Sequence, residues 1–158
     1  MLSAKDIYQA HLDCVSKALW ERSYEAILDL IRFPSFVETD TEVLKIDSRE
    51  CYLPSLISLR ETLDRFGVTA YHRLCREAVF TSDDPNRIEG IHETFPLTGT
   101  TPVIEPYLNH MTLVQQDGLW LGAGLRSATQ NTNWLMIKHP EPSNGPTAQE
   151  AETQEQDA

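Results

Sequence analysis

The amino-acid sequence predicts an α+β fold in which helices pack on one face of an antiparallel sheet. Up to residue 66, apolar residues recur at spacings of three and four, as amphipathic helices require. After Gly67 the apolar residues follow strand-like patterns separated by turn-forming residues. Helices and strands do not alternate along the chain, which argues against a parallel nucleotide-binding sheet.

Two helices are predicted before residue 34. The first begins at Ser3, which forms a variant of the capping box with Asp6. The second is shorter and has Ser23 as its N-cap. Its inner apolar stripe ends with Ile31, and Pro34 then stops the helix.

A short hairpin and a third helix are predicted next. Residues 33–46, FPSFVETDTEVLKI, are typical of an extended segment, a polar turn around Thr39 to Thr41 and a short returning strand. The third helix then runs from about Asp47 or Ser48 to Phe66. Gly67 is placed to act as its C-cap.

Four strands are predicted between residues 68 and 135. The runs with strand character are TAYHRLCREAVFT, RIEGIHETFPL, VIEPYLNHMTLVQQ and LWLGAGLRS. They are separated by SDDPN, TGTTP and DG, each of which favours a turn.

The last two strands are predicted to form a tight hairpin through Asp117 and Gly118. Asp-Gly is the strongest short-range signal for such a hairpin, because a type I′ turn needs positive φ at both central positions. The resulting register assigns these residues to one face: Tyr107, Asn109, Met111, Leu113, Trp120, Gly122, Gly124 and Arg126. Gly122 and Gly124 therefore lie within a strand with no helix after it, which excludes a phosphate-binding loop.

The charge and the ends of the chain limit its partners and location. With 24 acidic and 13 basic residues the formal net charge is −11, which disfavours nucleic acid and anionic membranes as partners. Residues 139–158 contain no Lys or Arg and no large apolar side chain. We therefore expect a folded domain over 1–138 and an acidic, disordered tail over 139–158, with a partner-binding tail as the alternative. Without a leader or an apolar span, a cytoplasmic protein is predicted.

The closing hairpin and the order of the elements resemble the nuclear transport factor 2-like superfamily, and within it the SnoaL-like group. The matching hairpin residues are Thr112, Val114, Asp117, Gly118 and Trp120, and the order of elements is similar from Ser3 to Trp134. The resemblance implies a cystatin-like cone, in which the N-terminal helices pack in the concave face of a strongly curved antiparallel sheet. It also implies an apolar pocket at the wide end and a homodimer formed through the sheet.

Two functions are compatible with that resemblance, because the superfamily contains both enzymes and non-catalytic binding domains. The first is a small-molecule-binding protein acting as an isomerase, dehydratase or cyclase, by acid–base chemistry on an apolar ligand and without a cofactor. The second is a non-catalytic dimeric binding or assembly domain.

His92 and Tyr107 are the predicted catalytic residues. His92 shares its strand face with Ile88, Gly90 and Thr94, a small and apolar environment in which a neutral imidazole can act as general acid or base. The alternative for His92 is a packing histidine bonded to a neighbouring strand or to Thr94.

The predicted ligand contacts are mostly aromatic and come from the helices, the short hairpin and the sheet. They are His11, Trp20, Tyr24, Phe33, Phe36, Tyr71, Asn109, Met111 and Trp120. The alternative is that these rings fill the core completely. No metal site is predicted, because His72, His92 and His110 lack ligand spacing and the three cysteines form no CxxC pair.

Overall fold

The computed structural model describes residues 1–39 and 43–127, and these form one α+β unit. Its helices are α1 (Ala4–Trp20), α2 (Tyr24–Leu28) and α3 (Arg49–Arg65). Its strands are β1 (Ile31–Glu38), β2 (Val43–Ile46), β3 (Ala70–Thr81), β4 (Asp84–Thr98), β5 (Thr101–Pro102), β6 (Tyr107–Gln116) and β7 (Leu119–Ser127). The predicted acidic tail and most of the predicted polar turn lie outside the described residues.

The strands form one curved open sheet, with the N-terminal helices packed against it. Its order is β2-β1-β7-β6-β4-β3, and β5 pairs with β4. All these pairs are antiparallel except β1 with β7, which is parallel. The predicted α+β class is confirmed, while the purely antiparallel sheet is corrected at this one pair.

The predicted caps of the first and third helices are present, whereas Ser23 precedes α2 without a side-chain capping hydrogen bond. The Ser3 hydroxyl accepts a hydrogen bond from the Asp6 N–H at 3.1 Å, and the Ser3 N–H donates to the Asp6 carboxylate at 3.3 Å. The Ser48 hydroxyl accepts from the Cys51 N–H at the start of α3. Gly67 follows α3 with a φ of 72°, the left-handed conformation that favours glycine after a helix.

The second helix is shorter than predicted. It ends at Leu28, and Ile31 begins β1 instead of completing a helical stripe. The Leu30 carbonyl accepts a hydrogen bond from the Gly122 N–H at 2.8 Å, so pairing with β7 starts at this point. This long-range pairing cannot be read from local helical periodicity.

The β6–β7 hairpin follows the predicted register only near its turn. Gln115 pairs with Trp120 and Leu113 with Gly122, as the Asp-Gly turn requires. The register then shifts, and Met111 faces Leu125 instead of Gly124. A single extra residue in β7 accounts for this bulge, which removes Gly124 and Arg126 from the predicted inner face and brings Leu125 and Ser127 onto it.

The interior contains three apolar clusters between the helices and the sheet. The largest joins the three helices around Leu19, Ile27 and Leu63. A second lies under the first half of α1, where Tyr8 and Leu12 are fully buried. The third, smaller cluster lies on β1 and β2. Among the described residues, no helix is both long enough and apolar enough to span a membrane.

Candidate functional site

The inner faces of β4 and β6 carry a row of buried polar side chains. Burial alternates along β4, so His92 and Thr94 point inward. Their partners across β6 are Asn109 and Tyr107, which are also buried. Two adjacent strands thus place four polar side chains beneath the helices.

Several polar atoms in this region have no hydrogen-bond partner among the described residues. They are His11 Nδ1, His92 Nε2 and Asn109 Oδ1. Native interiors satisfy the great majority of buried polar groups with protein atoms, water or a ligand. This end of the interior can therefore hydrogen-bond a bound molecule.

A cavity of about 90 Å³ lies where the three apolar clusters meet. Most of its wall is aliphatic and aromatic, and the polar part includes His11, Arg73 and Asn109. Helices α1 and α3 and the inner face of the sheet all contribute to the wall. The cavity has the mixed lining that is typical of small-molecule sites.

His11 is the best-defined polar group of the cavity. Its Nε2 lies 3.1 Å from the Leu30 carbonyl oxygen. Because a carbonyl can only accept, Nε2 carries the proton and Nδ1 keeps its lone pair. Burial, together with the charge of Arg73, lowers the pKa of His11 to about 4, so the ring is neutral near pH 7. A neutral imidazole with a free lone pair can act as hydrogen-bond acceptor or general base.

Gly122 lies directly beneath the His11 ring. A Cβ atom on Gly122 would lie 3.7 Å from His11 Cε1 and 3.8 Å from the Leu30 carbonyl oxygen, which are ordinary contacts. The Gly122 N–H donates to the same Leu30 carbonyl that His11 binds. The glycine-containing end of β7 thus helps to fix the orientation of the histidine.

His92 is bound to Tyr8 of α1 and does not line the cavity. The Tyr8 hydroxyl oxygen lies 2.7 Å from His92 Nδ1. Burial lowers the pKa of His92 to about 2, and the nearby charge of Arg73 contributes. Burial also raises the pKa of Tyr8, so both partners stay neutral near pH 7. The described contacts match a packing role, with a helix tyrosine as partner instead of the predicted strand or Thr94.

Tyr107, the other predicted catalytic residue, is buried opposite Thr94 and is also absent from the cavity wall. Burial raises its pKa well above the ordinary value of a phenol. The phenol therefore keeps its proton across the physiological range, which suits a hydrogen-bond donor.

The outer face of the sheet carries a second, open depression of about 390 Å³. Phe36 and Val79 are 44% and 54% exposed along it. Glu77 and Glu89 lie on the β3–β4 side of it, whereas Arg126 lies on β7 beside a further acidic residue, Glu38 of β1.

Solved structures match this architecture. An NTF-2 like protein of unknown function from Shewanella oneidensis superposes with a TM-score of 0.60 over 78% of this chain and 98% of that chain, at 9% sequence identity. The chain has the nuclear transport factor 2-like fold. An NTF2-like protein with a cystatin-like fold from Novosphingobium aromaticivorans gives 0.58 over 81% and 82%, at 11% identity. LinA gives 0.52 over 77% and 82%, at 9% identity. No protein-family model and no curated protein matches the sequence.

In this nuclear transport factor 2-like fold, four of the predicted ligand contacts line the cavity. They are His11, Tyr71, Asn109 and Met111. His11 comes from α1, Tyr71 from β3, and the other two from β6. Three of these four cavity-lining residues therefore come from strands of the sheet.

The other predicted contacts lie outside the cavity wall. Trp20 stacks on the Arg60 guanidinium, 3.9 Å from the ring centroid. Tyr24 and Phe33 pack against the largest apolar cluster, as the filled-core alternative predicts. Trp120 packs near Phe80, with ring centroids 6.2 Å apart. The fifth, Phe36, is on the outer face of the sheet, because Val37 is the β1 residue that points inward.

Among the cavity residues that the sequence prediction missed, Arg73 is the one that carries a charge. Strand alternation along β3 places it on the same face as Tyr71 and Cys75, and this signal was available in the sequence. Among the described residues, no group of three His, Cys, Asp or Glu side chains lies close enough together to hold a metal ion.

Proposed function

We propose that the protein is a cytoplasmic, SnoaL-like protein that binds a small, mostly apolar molecule in the cavity of its cone. The observation that supports this is the apolar cavity wall with partnerless polar atoms, His11 Nδ1 and Asn109 Oδ1. A few convergent polar groups in an apolar cavity are what small-molecule recognition requires.

The acid–base chemistry that we propose is centred on His11. An isomerase, dehydratase or cyclase without a cofactor needs a base whose lone pair reaches the substrate. We propose His11 for this role because its proton is held on Nε2 by the Leu30 carbonyl, which leaves the Nδ1 lone pair of a cavity-lining ring without a partner among the described residues. His92 does not meet the requirement, because it is hydrogen-bonded to Tyr8 and does not line the cavity.

The cavity volume limits the ligand to a small molecule. A volume of about 90 Å³ is well below the roughly 300–1,000 Å³ of pockets for drug-sized ligands. It is equivalent to about three water molecules at roughly 30 Å³ each. A short chain with one or two polar atoms fits this space.

Propan-1-ol is a suitable probe, since it has a short apolar chain and one hydroxyl donor. With ¹⁵N-labelled histidine, we expect the free protein to show His11 as the Nε2–H tautomer. Added propan-1-ol is expected to shift the His11 Nδ1 resonance upfield in a saturable way, because the alcohol donates to that lone pair.

The control uses the same substitution at two positions. Val15→Phe places a ring in the cavity wall and is expected to abolish the saturable shift. Val79→Phe makes the same change on the outer face and is expected to leave it intact. The proposal is wrong if propan-1-ol leaves His11 Nδ1 unchanged, or if Val15→Phe binds as well as Val79→Phe.

A second candidate function, a dimeric binding or assembly domain, is supported by the outer face of the sheet. This face exposes Phe36 and Val79 and carries acidic and basic side chains on different strands. A twofold axis through it would bring Glu77 and Glu89 of one copy opposite Arg126 of the other, an isologous and complementary arrangement. We therefore propose a homodimer formed through this face.

Sedimentation velocity tests the dimer. The chain is expected to sediment as a dimer at micromolar concentration. Val79→Asp is expected to raise the dimer dissociation constant at least about tenfold, because it places a carboxylate in the apolar part of the interface. Val43→Asp, an equally exposed valine on β2 outside the depression, serves as the control. A wild-type chain that stays monomeric at all concentrations would exclude this interface.

A further inference from the structure

The Arg73 side chain is held in place by helix α1. Its Nε donates to the Ser16 hydroxyl at 2.8 Å, and its Nη2 donates to the Leu12 carbonyl at 3.2 Å. These bonds come from two successive turns of the helix. They fix the plane of the guanidinium at the cavity wall and leave Nη1 with no hydrogen bond to any described residue.

Arg73 has no carboxylate partner within the described part of the chain. Five other arginines form ion pairs with carboxylates among the described residues: Arg22, Arg49, Arg60, Arg76 and Arg87. Three further arginines also lack a carboxylate partner among the described residues, but these are exposed to solvent: Arg32, Arg65 and Arg126. Arg73 is half-buried, so its charge is partly removed from water without a counter-charge.

Arg73 also stands between the cavity and the surface. Together with Tyr71 it borders the inner cavity and an open groove of about 660 Å³ between α1 and β3. The rest of the groove includes Trp20 and Phe95. A molecule that passes from the groove into the cavity would meet the guanidinium at this shared wall.

We propose that the ligand of the cavity is a small organic carboxylate, whose carboxylate group binds Arg73 while its apolar part fills the cavity. This inference rests on the proposed small-molecule function and specifies its substrate class. A half-buried guanidinium with an unused Nη1–H is suited to a carboxylate, which accepts charge-assisted hydrogen bonds from arginine.

The other ionisable groups near the cavity agree with an anionic ligand. Burial is the main cause of the lowered pKa of His11 and of His92, and the positive charge of Arg73 contributes to both shifts. Both histidines are neutral near pH 7, and no carboxylate lines the cavity within the described residues. Inside the cavity a carboxylate would meet one cation and no like charge, whereas the groove that leads to it carries Asp13 and Glu21 together with Lys17.

Propionate and propionamide provide the test, because they have nearly the same shape and differ in charge. Their dissociation constants can be measured at pH 7 from the Arg73 Nε–H and Asn109 amide signals of the full chain. We expect propionate to bind about tenfold more tightly than propionamide, since charge-assisted hydrogen bonds are stronger than neutral ones. Propionate is also expected to shift the Arg73 Nε–H signal.

Two variants assign the preference to Arg73. Arg73→Met keeps much of the apolar stem and is expected to bring the two dissociation constants within about twofold of each other. Arg65→Met removes an exposed arginine of α3, away from the cavity, and is expected to preserve the tenfold ratio. If Arg73→Met does not fold, the wild-type ratio and the Arg73 Nε–H shift decide the question.

The possible results distinguish a failure of the carboxylate assignment from a failure of the proposed small-molecule function. Equal binding of the two probes to the wild type, or a preference that persists in Arg73→Met, overturns the carboxylate assignment. Binding of propan-1-ol without binding of propionate also overturns it, and the small-molecule function then stands. If none of the three molecules binds, both proposals are wrong.

Discussion

Lowering the pH from 7 to 5 is expected to reduce the free energy of unfolding by roughly 4 kcal/mol, because two buried histidines must remain neutral in the folded state. His11 and His92 have folded-state pKa values lowered to about 4 and about 2, from an ordinary value of 6.5. A loss of this size is a large part of the free energy of unfolding of a typical domain, which is about 5–15 kcal/mol.

The direction follows from proton binding. Below pH 6.5 the unfolded chain protonates both histidines, whereas the folded chain does not protonate His11 until about pH 4 or His92 until about pH 2. The unfolded state therefore binds more protons, and stability falls as the pH decreases through this window. Above pH 6.5 the contribution of both groups is constant.

Urea unfolding at pH 7, 6 and 5 measures this loss. His11→Gln is expected to remove about half of the pH dependence, since one of the two buried imidazoles is then absent. The control is His72→Gln, which changes an exposed histidine of β3 and should keep the full dependence. A wild-type unfolding free energy that is the same at pH 7 and pH 5 would contradict the burial of these rings as neutral groups.

Gly90→Ala is expected to destabilise the protein by roughly 3–5 kcal/mol, which combines overpacking with the loss of a buried hydrogen bond. A Cβ atom at this position would lie 2.6 Å from Tyr8 Cδ2 and 2.8 Å from Tyr8 Cζ. The ring cannot stay in place, and its displacement would break the hydrogen bond from Tyr8 to His92. Thermal and urea unfolding measure the change.

Gly122→Ala is the matched control, because it adds the same methyl group to another buried glycine within a strand. Its Cβ would lie 3.7 Å from His11 Cε1, an ordinary contact. We expect it to change stability by no more than about 1 kcal/mol. In a Tyr8→Leu background the cost of Gly90→Ala should fall by more than about 1 kcal/mol, since the ring is absent. Equal stability of the two alanine variants would show that Tyr8 does not pack on Gly90.

The elements that depend on local signals were predicted well from the sequence. Ser3 and Ser48 cap the helices that they were expected to cap, and Asp117 and Gly118 both have positive φ at the hairpin turn. These features need only a few neighbouring residues, so their physical causes are visible in short stretches of sequence. The alternation that places His92 inside β4 is of the same kind.

The features that the sequence did not predict depend on residues far apart in the chain. Ile31 belongs to a strand because Leu30 pairs with Gly122, about 90 residues away. Arg126 lies outside because of a bulge that no turn signal marks. Tyr8 is hydrogen-bonded to His92, which lies 84 residues further along the chain. The predicted catalytic residues came from strand faces, whereas His11, the base that we propose, lies on the first helix and was predicted as a ligand contact.

If His11 is the base that we propose, the Leu30 carbonyl, which also accepts a hydrogen bond from Gly122, would limit the reactions that it could support. In a serine protease triad, a carboxylate behind the imidazole stabilises the protonated ring and makes it a stronger base. A backbone carbonyl also orients the ring, but it carries no negative charge. The Leu30 carbonyl accepts a second hydrogen bond, from Gly122, and this further reduces its ability to stabilise a protonated imidazole. A base of this kind can remove a proton only from a substrate whose proton is already acidic. The substrate itself, through an adjacent carbonyl or a good leaving group, would have to supply the activation that the protein does not.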